Sequence, residues 1–87
     1  ESAIDILKEF AFYKSQCKED ILITTARISQ DQSRIHCVSP RRESYIFLMR
    51  KLKNSKMFEA RAERISSKND AFEFDVVLKL IAKKDNS

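Results

Sequence analysis

Glycine is absent from this 87-residue sequence, whereas an average chain carries about 7% of it. That absence excludes a class of chemistry. Loops that cradle phosphate need glycine so that backbone N–H groups can close on the anion, so Walker-type and Rossmann-type nucleotide sites are effectively ruled out. No apolar run approaches the roughly 18–20 residues that span a bilayer, and no signal-peptide pattern is visible. Runs of five or six like charges are missing too. The 13 acidic residues are scattered among 17 basic ones, for a net charge of +4 and a pI near 9.2. One histidine and two distant cysteines form no ligand-spaced cluster, so neither a metal nor a cofactor is expected.

What is present is 43% hydrophobic and 34% charged residues, the balance of a globular chain with a real but thin core. The sequence begins at Glu1 without a methionine. It is therefore expected to be a fragment or a processed product, one domain over residues 1–87.

Periodicity predicts a helix from about Ser2 to Cys17. Ala3, Ile6, Phe10, Tyr13 and Cys17 recur at spacings of 3, 4, 3 and 4, with Leu7 and Ala11 widening the stripe. "ILITTARIS" is β-branched and predicts a strand from Ile21 to about Ser29. The polar turn "QDQS" and a short strand "RIHCV" complete a hairpin without the usual Asn-Gly signal. Ser39 then reads as a helix N-cap and Pro40 as the first helical residue, with Glu43 near the positive end of the dipole. Tyr45, Leu48, Met49 and Leu52 give this second helix its inward face. A third strand, "FEARAERIS", alternates Phe58, Ala60 and Ala62 with Glu59, Arg61 and Glu63. "SKND" turns the chain into the clearest element, a strand with Phe72, Phe74, Val76, Leu78 and Leu80 on one face. Glu73, Asp75, Val77 and Lys79 occupy the other.

The order α-β-β-α-β-β predicts an α+β fold with two helices on one face of a four-stranded antiparallel sheet. This is a ferredoxin-like layout, circularly shifted, with expected strand order 1-2-4-3. The first and third strands are then the edges.

The run from Ile21 to Leu80 resembles the extracytoplasmic domain of PilN-type fimbrial assembly proteins of type IV pili, and the related C-terminal domain of GspL-type type II secretion proteins. The resemblance rests on "ILITTARIS", on "VSPRRESYIFLMRKLKNSKMF" with Tyr45, Leu48, Met49, Leu52, Ser55 and Phe58 at the family's helix and post-helix positions, and on "FEFDVVLKL". It implies a non-enzymatic assembly domain on the periplasmic side of the inner membrane, anchored through an upstream segment. The implied partner is a second copy or a PilO- or GspM-like protein of similar fold. Two departures stand out: "QDQS" and Cys37 occupy positions where the family often has glycine, and the family's cytoplasmic N-terminal tail and transmembrane helix are not among these 87 residues.

Chemical alternatives are weaker. His36 and Cys37 are adjacent in a strand and so point to opposite faces, which prevents a nucleophile–base pair. Cys17 and Cys37 read as free buried thiols, or as a disulfide in an oxidising compartment; spacing does not decide between them. Arg41, Arg42, Arg50, Lys51 and Lys53 on one helix raise a competing expectation, a cytoplasmic nucleic-acid-binding module. Against it, the open sheet face carries Glu73 and Asp75 rather than stacking aromatics. The expected contact surface is instead with protein. Ile21, Ile23 and Thr25 lie on an edge strand that carries no charge over "ILITT". Ile46 and Phe47, with Arg50 beside them, lie outside the second helix's core stripe.

Overall fold

A computed structural model of the chain describes residues 3–17, 21–29 and 31–81, Ala3 by its backbone alone. Helix α1 (Ala3–Ser15) leads to strands β1 (Leu22–Arg27) and β2 (Ser33–Ser39), helix α2 (Arg42–Lys53), and strands β3 (Phe58–Lys68) and β4 (Ala71–Leu80). All four strands are antiparallel neighbours in the order β1-β2-β4-β3. This is the expected shifted ferredoxin-like fold, with β1 and β3 as edges.

The core lies between the helices and one sheet face. Ile6 and Phe10 of α1 and Leu48, Met49 and Leu52 of α2 are packed against Ile35, Cys37, Phe58, Phe74, Val76 and Leu78. Tyr45 closes one end, its ring 4.8 Å from that of Phe72 and 4.7 Å from that of Phe74. Such offset aromatic packing adds to simple burial. The apolar stripe of α1 is narrower than expected, since Leu7 and Ala11 are exposed. On a helix they fall beyond the arc defined by Ile6, Phe10 and Tyr13, which is all that the layer beneath covers. Glu9 ties α1 to the segment that follows α2. Its carboxylate accepts from Tyr13 Oη at 2.8 Å and from Ser55 Oγ at 3.2 Å, while Ser55 Oγ accepts from the Met57 backbone N–H. Ser55 thereby fixes the α2–β3 junction.

Turns without glycine are built from side chains and from residues that tolerate left-handed backbone. Between β1 and β2, Ser33 Oγ donates to the Ser29 carbonyl and accepts from the Ser29 N–H, while Ser29 Oγ donates to the Gln32 carbonyl. Between β3 and β4, Lys68 faces Ala71 across a two-residue loop, with Asn69 at φ 51° and Asp70 at φ 62°. Two left-handed residues make a type I′ turn, which matches strand twist.

The start of α2 corrects the sequence expectation. Ser39 is not its N-cap and Pro40 is not its first residue. Ser39 pairs with Phe72 as the last residue of β2, so the ladder holds its backbone extended. The cap falls to Arg41, at φ −141° and ψ 154°, without a side-chain capping bond. Ser39 Oγ donates instead to the Arg41 carbonyl at 2.6 Å, closing a tight turn around Pro40.

Phe74 is fully buried on the central strand, so Phe74→Ala is expected to cost about 3–5 kcal/mol in denaturant unfolding. Lys79→Ala, on the same strand but exposed, should stay within roughly ±0.5 kcal/mol. Asp70→Gly relieves the left-handed backbone cost at a position glycine favours and should stabilise by about 0.5–1 kcal/mol. A loss of stability in that variant would show that the Asp70 side chain matters more than its backbone.

Candidate interaction surfaces

The six residues expected at an interface do not form one patch. Ile21 precedes β1 and is buried at 1% exposure, a core residue. Its place in the expected surface is corrected: Ile21 belongs to the buried core cluster with Ile6, Phe10 and Phe74. Ile23 and Thr25 lie on the exposed edge, but on opposite faces. Ile23 faces Cys37, and Thr25 faces His36, because Thr24 is an extra residue in the ladder. One inserted residue reverses the facing of everything after it. Thr24 Oγ1 donates to the His36 carbonyl at 3.4 Å across this bulge. Apart from the bulge, β1 is a six-residue edge whose side chains are all exposed, with Leu22 at 62%.

Ile46, Phe47 and Arg50 form a second surface on the outer face of α2, all exposed. Helix α2 packs over β3 and β2, whereas β1 borders only β2 in the sheet. The two surfaces are therefore separate.

The helix-free face of the sheet carries a cross-strand ion network that periodicity did not reveal. Arg34 of β2 donates from Nη1 to Asp75 Oδ2 at 2.8 Å and from Nη2 to Glu63 Oε1 at 2.6 Å. Arg61 Nε donates to Glu63 Oε2 at 2.6 Å. His36 Nδ1 meets Asp75 Oδ1 at 2.6 Å, and its Nε2 lies 3.4 Å from Glu73. Arg64, placed by a bulge in β3 with φ 52°, brings Nε to 4.0 Å from Asp75. Asp75 is buried, and so is Val77, which lies between Arg34 and Arg61 in the register. Burial pushes the Asp75 carboxyl upward, but the hydrogen bonds from His36 and then Arg34 outweigh it and hold it below the usual range. The acidity expected of this face is thus neutralised within it.

Nucleophilic chemistry finds no support in the thiols. Both cysteines are free. Burial, helped by the nearby Asp75 charge, pushes the Cys37 thiol up to about 12, and burial also raises Cys17. A thiol as buried as that of Cys37 stays protonated and inert. His36, on the opposite sheet face, is engaged with Asp75. Among the described residues no group of three or more His, Cys, Asp or Glu side chains is placed to hold a metal ion, and no helix is long and apolar enough to cross a membrane.

No protein-family model and no curated protein matches the chain. Among solved structures, the fold is similar to the periplasmic domain of EpsL from Vibrio parahaemolyticus. The TM-score is 0.72 at 18% sequence identity, over 91% of this chain and 94% of that one. At that identity the likeness is one of fold.

The Asp75 network predicts acid sensitivity with a defined sign. The folded-state acidity of Asp75 is lowered, so its contribution is complete above the unfolded carboxyl value of about 3.9 and is lost as pH falls through the lower, folded value. Asp75→Asn should destabilise by about 1–3 kcal/mol at neutral pH, the worth of hydrogen bonds to a charged group. Chemical denaturation of both proteins from pH 7 to pH 2 should show the gap narrowing below about pH 4. A constant gap would mean that the Asp75 charge is not what the network uses.

Proposed function

We propose that this chain is a non-enzymatic assembly domain of a GspL-like protein, acting on the extracytoplasmic side of an inner-membrane type II secretion complex. The observation that carries the reading is the likeness in fold to the periplasmic domain of EpsL, a GspL-type secretion protein, over nearly the whole of both chains. The resemblance of Ile21–Leu80 to GspL-type and PilN-type domains points the same way from sequence. A pilus assembly role is the finer variant, supported by the PilN-like segments alone. The inert thiols and the internally consumed polar groups of the sheet face fit a scaffold better than a catalyst.

The proposed partner is a second copy or a PilO- or GspM-like domain of similar fold, joined through the β1 edge. An exposed edge strand offers unpaired N–H and C=O groups that another strand satisfies. The two edges differ in how they are protected. β3 carries Glu59, Arg61, Glu63 and Arg64 and an interrupted register, whereas β1 has only the Thr24 bulge and Arg27 at its end. A cytoplasmic nucleic-acid module is the less favoured reading, because the open sheet face is self-neutralised and presents no stacking aromatics.

Sedimentation over a wide concentration range should show reversible dimers, or a complex with a PilO- or GspM-like domain. Thr25→Lys and Ile23→Lys should weaken either. Thr25→Lys is the cleaner probe, since Thr25 is exposed on the helix-free face. A domain that stays monomeric at every concentration and ignores such partners would sink the pairing.

A further inference from the structure

The charged residues of this fold are handled in two opposite ways. On the helix-free sheet face, Arg34, Arg61 and Arg64 each have a carboxylate within 4.0 Å. On α2, four cations (Arg42, Arg50, Lys51 and Lys53) accompany one carboxylate, Glu43. None of the four makes an ion pair among the described residues. Among the described residues no carboxylate neutralises them.

The same helix face carries the apolar groups that its core does not use. Ile46 is 38% and Phe47 36% exposed. Helical spacing interleaves them with the cations, Ile46 between Arg42 and Arg50 and Phe47 one turn before Lys51. Behind them Leu48, Met49 and Leu52 are locked into the core, so the face is rigid and already formed.

We infer that the outer face of α2 is a docking surface for the anionic phospholipid headgroups of a bilayer, with Ile46 and Phe47 entering the interface and the four cations meeting phosphates. Exposed apolar side chains beside lysines and arginines supply the two attractions of an interfacial site, buried apolar area and charge on anionic lipid. A nucleic acid would use the cations but asks a different thing of Phe47. Stacking needs a free aromatic face, whereas Lys51 Nζ sits 5.4 Å from the centre of the Phe47 ring. A membrane interface needs no open ring face. This assignment uses α2 alone and stands apart from the β1 pairing.

Co-sedimentation with lipid vesicles tests it directly. The chain should bind vesicles of phosphatidylcholine mixed with phosphatidylglycerol, fail to bind pure phosphatidylcholine, and release as salt is raised. Arg50→Gln with Lys51→Gln should weaken binding on the order of twentyfold, from roughly fivefold per cation. Ile46→Ser with Phe47→Ser should weaken it as well, with circular dichroism melts verifying that both variants are folded. Thr25→Lys should weaken self-association and, at concentrations where the unaltered chain is monomeric, leave vesicle binding intact, which separates this surface from the proposed pairing edge. Equal binding to uncharged vesicles, no binding at low salt, or full binding by both folded variants would overturn the assignment. So would tighter binding to a single-stranded oligonucleotide that survives Ile46→Ser and Phe47→Ser, since that outcome identifies a nucleic-acid surface.

Discussion

Strand β4 must be buried on both of its faces, and most of the structure follows from how the chain meets that demand. It lies between β2 and β3, so its backbone groups are paired on both sides. Towards the helices it offers Phe74, Val76 and Leu78, which two amphipathic helices cover at no polar cost. Away from the helices it offers Asp75 and Val77, equally buried, with no layer to cover them. The solution is local. Arg34 and Arg61 of the flanking strands lie beside Val77 in the register and bind carboxylates, so that their charges are met. Asp75 holds the centre because Arg34 and His36 both reach it from β2. A buried carboxylate without such partners would have to give up its charge.

This arrangement decides which surfaces remain unsatisfied. The helix-free face consumes its own charge, and the fold therefore presents no electropositive sheet for a polyanion. β3 is twisted by its bulge and guarded by alternating charges. What is left is the backbone of β1 and the cationic outer face of α2. Functional surfaces are often those that a fold leaves unpaired, and here the charge and hydrogen-bond inventory points to two of them rather than to a pocket. A cleft of about 450 Å³ does lie between the start of α2 and the β3–β4 turn, but Asp70 beside Arg41 and Arg42 gives it mixed charge.

Much of this architecture was legible in the sequence, because period-2 and period-3.6 patterns report directly which side chains face a common layer. The α-β-β-α-β-β order, the core stripe of β4 and the inward face of α2 came from those patterns, and the strand order from the ferredoxin-like layout they implied. What they could not report was governed by tertiary pairing. Ser39 and Pro40 have the right chemistry to begin a helix, yet the Phe72 partner keeps Ser39 in the sheet and moves the helix start two residues on. Ile21 reads as the first residue of an edge strand, and only its tertiary packing in the core cluster shows it to be core. The Thr24 bulge leaves no mark in composition, so the separate facing of Ile23 and Thr25 was invisible. Asp75 read as a solvated charge because alternation alone does not say whether the far face of a strand is wet. A hint was available: Arg34 and His36 alternate with buried residues on a neighbouring strand, as Arg61 and Glu63 do with the partly buried Ala60 and Ala62 on the other.

The separation of the two open surfaces has a geometric consequence. Two copies joined edge to edge through β1 as one continuous antiparallel sheet are related by a twofold axis perpendicular to that sheet. Such an axis keeps both helical layers on the same side. Each copy then presents its α2 outer face in the same general direction, with the β1 edges consumed in the middle and the charged β3 edges at the ends. A surface that meets one α2 is placed to meet the other, and the second contact becomes effectively intramolecular. Weak pairing through a short edge strand and weak adhesion through one basic helix would in that geometry reinforce each other. Neither contact has to be strong alone, which suits a domain whose core is thin and whose exposed edge is only six residues long.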